Sequence, residues 1–341
     1  MISFACDYLQ GAHPTVLQRL VDTNLDTQPG YGEDVYCQTA KEKIRTAFDC
    51  PDADVWFLTG GTQTNAVVIR TLLSPVQGVI CAQSGHIAVH ESGAIEYTGH
   101  KVLPLPAHDG KLDAAEVEAY LEAFYADQTW PHCVAPGMVY ISHPTEYGTL
   151  YTADELRALS AVCRRANIPL FMDGARLGYG LMSHHTDVTP AMVAELCDVF
   201  SIGGTKVGAL CGEAVVFRKG RMPEYMLSAV KQQGALLAKG RLFGVQFDAL
   251  FTDDLYFTIS RHAIDMAEKM KDIFRRKQYT FRPETDTNQQ FICLENSVLQ
   301  RLQPLIGFSV WEKADDTHTV VRFATSWATT EEDLAYLDSV L

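Results

Sequence analysis

Short apolar runs alternate with helical patterns from about residue 52 to residue 217, and this alternation most constrains the fold. The apolar runs predict strands at Val55–Leu58, Val79–Ala82, Val102–Leu105 and Met138–Ser142, and in the runs that end at Met172, Ile202 and Phe217. The segments between them predict helices at Thr62–Leu73, Ile87–Glu96, Ala114–Phe124 and Ala153–Arg165. Apolar strands separated by helices are typical of a mostly parallel sheet that is covered on both faces.

The pattern changes after Phe217. Helices are predicted at Gln246–Asp253 and Phe257–Arg276, strands at Gln290–Leu294, Phe308–Trp311 and Thr319–Phe323, and a closing helix at Glu331–Val340. A chain of 341 residues is long for one domain. We therefore expect an α/β protein with an N-terminal arm (residues 1–25), a large domain with a mostly parallel sheet (26–250) and a small C-terminal α+β domain (251–341).

Composition excludes several classes of partner. The formal net charge of −14 disfavours nucleic acid and anionic membrane surfaces, and no apolar run approaches the ~20 residues that span a bilayer. The first residues show no targeting pattern, so a cytoplasmic protein is expected. The nine cysteines are scattered without a Cys-x-x-Cys motif, which favours free thiols over disulfides or a metal site.

Two polar residues follow neighbouring apolar runs. Asp173 comes directly after Ile168–Met172, and Lys206 comes shortly after Val199–Ile202. Sites in parallel sheets form where loops leave the carboxyl ends of strands, so we expect both side chains at one edge. A lysine amine can form a Schiff base with an aldehyde, and a carboxylate can keep a pyridine nitrogen protonated. The pair therefore predicts pyridoxal 5'-phosphate (PLP) as the cofactor of the large domain.

A glycine-containing run follows the first predicted strand. Gly61, Thr62 and Gln63 open the next predicted helix, where free amides and close backbone approach favour a phosphate. The same sequence is also typical of an ordinary turn with a helix cap.

Two histidines follow the strand that ends at Ala82. His86 is expected at the same sheet edge, where an imidazole can stack on a planar cofactor and move protons. His90 is four residues further on, near the same helix face. The alternative is a solvated or capping histidine.

Two arginines are candidates for binding carboxylates. Arg176 follows Asp173 by three residues and is expected beside the cofactor ring oxygen or the substrate carboxylate. Arg322 lies in a predicted strand of the small domain, where a bidentate grip on an amino acid is the natural use. The alternative for Arg176 is a structural ion pair with Asp173 or another acid. The alternative for Arg322 is an ordinary surface arginine.

These runs, in this order, resemble the low-specificity L-threonine aldolases and related β-eliminating lyases, PLP enzymes of the aspartate aminotransferase fold type. The matching segments are 5–7, 31–34, 60–65, the His86 segment, 173–176, 205–208 and the Arg322 strand. The resemblance implies a PLP-dependent transferase-like large domain. It assigns cofactor binding to Gly61, Thr62, Gln63, His86, Asp173, Arg176, Thr205 and Lys206. It assigns substrate binding to Cys6, Asp7, Tyr31, His90, Arg176 and Arg322.

The sequence departs from the family pattern at two positions. Cys6 stands where the family usually has serine, and Glu146 stands where many threonine aldolases carry a histidine beside the substrate hydroxyl. The resemblance also implies a basic residue that reaches the phosphate from a neighbouring subunit, for which Lys239 and Arg241 are both candidates. Tyr31 is expected to act in a neighbour's site, so a homodimer or homotetramer with shared sites is predicted.

The expected activity is aldol cleavage of L-threonine or L-allo-threonine to glycine and an aldehyde, with Lys206, His86 and Glu146 as catalytic residues. His86 and Glu146 are the candidate bases, and a water on the phosphate is a third. The alternatives are β-elimination or transamination of another amino acid and a PLP-binding protein without catalysis. A dinucleotide-binding oxidoreductase is disfavoured because the first strand is not followed by Gly-x-Gly-x-x-Gly.

Overall fold

A computed structural model describes residues 2–341. The large sheet contains seven strands: β1 (Asp54–Leu58), β2 (Gln77–Ala82), β3 (Val102–Leu105), β4 (Ala135–Ser142), β5 (Leu170–Asp173), β6 (Val199–Gly203) and β7 (Glu213–Phe217). Their order is β1-β7-β6-β5-β4-β2-β3. Strand β7 runs antiparallel to β1 and β6, and the other neighbours are parallel. The predicted mostly parallel sheet is confirmed.

Helices surround this sheet and continue into the C-terminal region. They are α1 (Pro14–Asp22), α2 (Val35–Ala47), α3 (Gly61–Leu72), α4 (His86–Val89), α5 (Ala94–Tyr97), α6 (Ala114–Ala126), α7 (Ala153–Ala166), α8 (Leu177–Leu181), α9 (Pro190–Leu196), α10 (Met226–Gln232), α11 (Arg241–Leu250), α12 (Leu255–Arg276), α13 (Asn296–Leu302) and α14 (Glu331–Val340). A short 3₁₀ turn covers Trp130–His132. No helix within residues 2–341 is both long and apolar enough to cross a membrane.

Alternate residues of the central strands bury on opposite faces of the large sheet. In β4, Val139 and Ile141 pack into one apolar cluster, while Met138 and Tyr140 pack into the cluster on the other face. Because both faces are covered by helices, these strands read as continuous apolar runs. This explains why the sequence pattern located them.

The small sheet is antiparallel and has four strands, β8 (Thr280–Phe281), β9 (Gln289–Glu295), β10 (Ser309–Lys313) and β11 (His318–Ala324), in the order β10-β11-β9-β8. It confirms the separate α+β region predicted at the C-terminus. Helix α12 joins the two regions, because Ala263 packs in the core of the large sheet and Met270 in the core of the small one. The start of the chain joins the small sheet too, since Phe4 exchanges backbone hydrogen bonds with Gly307 and Ala324.

Two predicted helices are wrong in their bounds. The stretch predicted as one helix over 87–96 is two short helices, because Ser92 and Gly93 take positive φ angles of 51° and 74° and break it. Helix α11 begins at Arg241 and ends at Leu250, before the predicted end at Asp253, where that residue and Asp254 also have positive φ.

Candidate active site

The predicted lysine and aspartate lie at one edge of the large sheet. Asp173 is the last residue of β5, and Lys206 is in the turn after the adjacent strand β6. Asp173 is only 6 % exposed, and Lys206 and Asp173 are close enough to shift each other's pKa. The geometry that the strand pattern predicted is therefore present.

A cavity of about 740 Å³ opens beside Lys206, between this sheet edge and strand β10. Six predicted residues line it: Lys206, His86, His90, Glu146, Arg176 and Arg322. A larger depression of about 1100 Å³ lies between α1, α2 and α11, but it contains none of the predicted site residues. The chemistry therefore belongs to the smaller cavity.

Hydrogen bonds hold Asp173 in its ionised form. Its Oδ2 accepts from Asn65 Nδ2 (2.9 Å) and from the Tyr140 hydroxyl (2.7 Å). Burial acts to raise the pKa of Asp173, but the charge of His86, these two hydrogen bonds and the charge of Lys206 outweigh it, and the pKa lies below its ordinary value. A buried carboxylate that stays ionised can balance a cation in the cavity.

A chain of polar contacts connects Asp173 to Glu146. The Tyr140 hydroxyl also lies 3.3 Å from the Ser142 hydroxyl, and Ser142 donates to Glu146 Oε1 (2.6 Å). Burial raises the pKa of Glu146, and the nearby charge of Asp173 acts in the same direction, against the hydrogen bond from Ser142. A carboxylate with a raised pKa is a stronger base than an ordinary glutamate.

A second chain of hydrogen bonds returns from Glu146 to Asp173 through His86. Glu146 Oε1 accepts from the backbone N–H of His86 (2.9 Å), and His86 Nδ1 lies 2.7 Å from Glu91 Oε1. Asn65 Nδ2 donates to that same oxygen of Glu91 (2.7 Å) as well as to Asp173. These hydrogen bonds, together with the contact between the Tyr140 and Ser142 hydroxyls, link the polar groups of the site, so displacement of one member disturbs the others.

Glu91 determines the charge of His86. Burial acts to lower the pKa of His86, but the hydrogen bond to Glu91 and the charges of Asp173 and Glu91 outweigh it, and the pKa is raised. The His90 ring lies 5.7 Å from the His86 ring and 6.2 Å from Trp311. Both histidines line the cavity, but only His86 is held by a hydrogen bond, whereas His90 is exposed.

Arg176 forms a bidentate ion pair with Asp7. Its Nε donates to Asp7 Oδ2 (2.7 Å) and its Nη2 to Asp7 Oδ1 (3.0 Å). Asp7 also accepts from Asn288 Nδ2 (2.9 Å) and is 1 % exposed. The sequence suggested either a ligand-binding arginine or an ion pair with an acid. The structure contains the ion pair, and the acid is Asp7 near the start of the chain. The neighbouring Cys6 is half-buried and does not line the cavity.

Arg322 in β11 reaches the opposite side of the cavity. Its Nη1 donates to Gln289 Oε1 (3.0 Å) and its Nη2 to the backbone oxygen of Ala5 (3.1 Å), while its guanidinium lies 5.4 Å from the centre of the Trp311 ring. Its Nε is buried and has no acceptor among residues 2–341. This arginine is held in place, and the second N–H of its Nη1, which has no acceptor among the described residues, is left for a ligand.

The first turn of α3 presents unpaired amides. The N–H of Thr64 bonds to Gly60, but the N–H groups of Gly61, Thr62 and Gln63 have no acceptor among the described residues. A side chain added at Gly60 or Gly61 would meet nothing within 4 Å. The Gln63 side chain caps the N–H of Thr59 (3.1 Å). Such a helix start can hold an anion.

Thr205 and Tyr31 have different surroundings. The hydroxyl of Thr205 accepts from the N–H of Gly212 (3.1 Å), which shapes the turn that carries Lys206. Tyr31 is 51 % exposed, lines a different depression and is not brought to the cavity within its own chain. Arg241 bonds the backbone oxygens of Thr23 and Asp26, whereas Lys239 is exposed.

Sequence reasoning gave no role to several residues of the site: Asn65, Glu91, Tyr140, Ser142, Asn288 and Trp311. Asn65 and Glu91 fall in runs that carried the family resemblance, and a polar side chain one turn into a helix was the available signal for Asn65. Tyr140 gave no signal, because a tyrosine in an apolar strand is ordinary.

The fold and the strand-end lysine–aspartate pair define an enzyme of the aspartate aminotransferase fold type. The solved structure of an aspartate aminotransferase from Thermus thermophilus superposes with a TM-score of 0.70 at 13 % identity, over 100 % of this chain and 92 % of that one. The chain belongs to the beta-eliminating lyase family, whose sequence model matches residues 4–297. The predicted family and fold type are confirmed, and the chain is a lyase of this family.

Two relatives share more of the sequence. A threonine aldolase from Leishmania major has a TM-score of 0.95 and 39 % identity, and the alignment covers 100 % of this chain and 98 % of that one. The low specificity L-threonine aldolase of Pseudomonas sp. (strain NCIMB 10558) is 30 % identical over 274 residues, which are 79 % of this chain and 77 % of the relative.

Proposed function

We propose that this chain holds PLP on Lys206 and cleaves a β-hydroxy-α-amino acid, L-threonine or L-allo-threonine, to glycine and an aldehyde. The observation that carries the proposal is the pair Asp173, buried at the end of β5, and Lys206, half-buried in the turn after the adjacent strand β6. The names of the relatives from Leishmania major and Pseudomonas support the same activity.

The residues present fit PLP. The three unpaired amides at the start of α3 suit its phosphate, and Asp173, kept ionised by Asn65 and Tyr140, suits the protonated pyridine nitrogen. Burial and the charge of Arg176 lower the pKa of Lys206, which favours the neutral amine that reacts with an aldehyde. We assign His86 to the face of the ring and Thr205 to the turn that positions Lys206. We assign Arg176, which Asp7 holds, to the side of the ring.

Arg322 is the proposed binding group for the substrate carboxylate. Two of its three nitrogens are fixed by Gln289 and Ala5, so its guanidinium plane is set before substrate arrives. PLP, when bound, stabilises the electron pair left on Cα after a bond to that carbon breaks. By fixing the carboxylate, Arg322 selects which Cα bond stands perpendicular to the ring.

Glu146 is the proposed base for the substrate hydroxyl. Both of its hydrogen bonds, from Ser142 and from the His86 backbone, go to Oε1, which leaves Oε2 to accept the hydroxyl proton. Loss of that proton lets the Cα–Cβ bond break and the aldehyde leave. In this position a carboxylate does the work for which many relatives use histidine. His86, with its raised pKa, is the alternative group for moving this proton.

A second copy of the chain is the proposed partner. Tyr31 and Lys239 are exposed and lie outside the cavity of their own chain, which agrees with a role in a neighbour's site. Arg241 is less suited, since its guanidinium already binds two backbone oxygens. We propose a homodimer or homotetramer.

The test is to assay the purified protein with L-threonine and L-allo-threonine and to measure glycine and acetaldehyde. Lys206→Ala should abolish both the products and the absorbance of the lysine-linked cofactor. Pyruvate and ammonia from serine, without glycine from threonine, would replace this proposal with β-elimination. A PLP-loaded protein that is inactive with every amino acid would indicate binding without catalysis.

A further inference from the structure

Glu213 is a buried acid to which the proposed function gives no role. It is the first residue of β7, is 4 % exposed and is followed by four buried apolar residues, Ala214–Phe217. Because β7 is antiparallel to β6, Glu213 pairs with Gly203 and lies at the same edge of the sheet as Lys206. A carboxyl group there stands apart from the apolar pattern of its strand.

The Gly204 amide does not depend on this carboxyl group. Glu213 Oε2 accepts from the N–H of Gly204 (3.1 Å), but that N–H also bonds to the backbone oxygen of Gly212 (3.0 Å). Removing the carboxylate would therefore leave no orphaned amide. Within residues 2–341 no basic side chain lies within ion-pair distance of Glu213, although burial of an unpaired acid is costly. Perturbed, buried acids of this kind are concentrated at functional sites.

The charges around Lys206 single out Glu213. Asp7 is paired with the cation of Arg176, and the proposed function assigns Asp173 to the pyridine nitrogen. Glu213 is the remaining acid among the charged groups that act on Lys206, which are Arg176, Asp7, Glu213, Asp173 and His86. The titratable groups that face Glu213 itself are Lys206, Asp173 and, from α12, Tyr256.

We infer that Glu213 is a positioning residue that acts through Lys206, because its carboxylate controls how tightly the lysine nitrogen holds a proton. The inference rests on the proposed function only in taking Lys206 as the residue that binds PLP. It concerns the lysine nitrogen, and it is independent of which Cα bond of the substrate breaks.

The pKa of Glu213 gives the direction of the effect. Burial raises it to about 7, against the opposing charge of Lys206. The carboxyl group is therefore neutral in acid and anionic above neutrality, where it favours a protonated lysine nitrogen. Removing the charge should make that nitrogen lose its proton at a lower pH.

The experiment is a pH titration of the absorbance of the PLP-loaded protein, which changes when the lysine nitrogen loses its proton. Glu213→Gln keeps the shape and the acceptor for Gly204 but removes the charge, and it should lower the midpoint by about one pH unit. Glu213→Asp keeps the charge and should restore most of the wild-type midpoint. Asp198→Asn removes a buried carboxylate at the opposite end of β6, paired with Arg218 and Arg221, and should leave the midpoint unchanged.

Several outcomes would overturn the inference: the same midpoint in wild type and Glu213→Gln, an equal shift in Asp198→Asn, or loss of PLP from both the Gln and the Asp variants. A wild-type protein that takes up no PLP would overturn it together with the cofactor proposal. Absence of threonine cleavage alone would reject the proposed reaction. The pH titration of the PLP-loaded protein could still be measured and would still test the role of Glu213.

Discussion

Asp7 and Arg176 form a bidentate ion pair that brings the start of the chain to the loop after β5, across 169 residues of sequence. Both side chains are shielded from solvent, with 0 % and 14 % exposure. The pair therefore serves the fold as well as the site.

Asp7→Asn should destabilise the protein by about 3–5 kcal/mol, because it leaves a buried guanidinium without its countercharge. The measurement is the free energy of unfolding in urea. Burial acts to raise the pKa of Asp7, but Arg176 outweighs it and the pKa is lowered. The stabilisation is therefore present above the ordinary pKa of aspartate and is lost as the pH falls through the depressed value.

The control for this variant is Asp52→Asn, which breaks an exposed pair with Lys219 and should leave stability unchanged within error. Equal stabilities of Asp7→Asn and wild type at neutral pH would contradict the role of the ion pair.

Glu91→Gln should lower the pKa of His86, because the amide keeps a hydrogen-bonding group but loses the charge that favours the imidazolium. The pKa is read from the NMR titration of the His86 ring. Because the pKa of His86 is raised in the folded state, its contribution to stability is fully present below the ordinary pKa of histidine. That contribution is lost as the pH rises through the raised pKa. The variant should thus lose more stability at about pH 6 than at about pH 9. An unchanged His86 titration would show that Glu91 does not control it.

Glu146→Gln should lower kcat for threonine cleavage by about 10²–10⁴-fold, since the base for the hydroxyl proton is lost. Uptake of PLP, followed by absorbance, should be unaffected. Glu312→Gln is a matched control, because Glu312 lines the same cavity but is exposed. Full activity of Glu146→Gln would assign the proton transfer to another group, with His86 the next to test.

Arg322→Lys should raise KM for threonine about tenfold or more, because an ammonium group cannot reproduce the bidentate grip and the plane held by Gln289 and Ala5. The cofactor absorbance should remain, since Arg322 lies across the cavity from Lys206. Steady-state kinetics with threonine measures the effect, and a wild-type KM would exclude Arg322 as the carboxylate site.

The sequence predicted the elements of the large sheet because each buried strand is a short apolar run. It failed where a single backbone angle decides the outcome, as at Ser92 and Gly93, which split one predicted helix into two. Positive φ angles at Asp253 and Asp254 likewise determine where α12 begins. The spacing of apolar residues does not indicate these angles.

The site was predictable where function leaves a local motif, as at Lys206 and Asp173. The partners that hold those groups were not, because hydrogen bonds join residues distant in sequence. Tyr140 and Asp173 are 33 residues apart, and Asn65 and Asp173 are 108 apart. Such pairing follows from the strand order, which only the structure provides.

Arg322 of β11 and Arg176 of the loop after β5 are both held by residues 5–7 of the chain. Ala5 holds Arg322 through its carbonyl oxygen, and Asp7 holds Arg176 through its carboxylate. The Cα atoms of residues 5 and 7 can lie at most about 7 Å apart. Covalent geometry therefore limits how far the Ala5 carbonyl group can lie from the Asp7 carboxylate. Residues 5–7 therefore set the spacing between Arg176 and Arg322 in the cavity. An insertion within residues 5–7 would change the distance between the two arginines without replacing any side chain that lines the cavity.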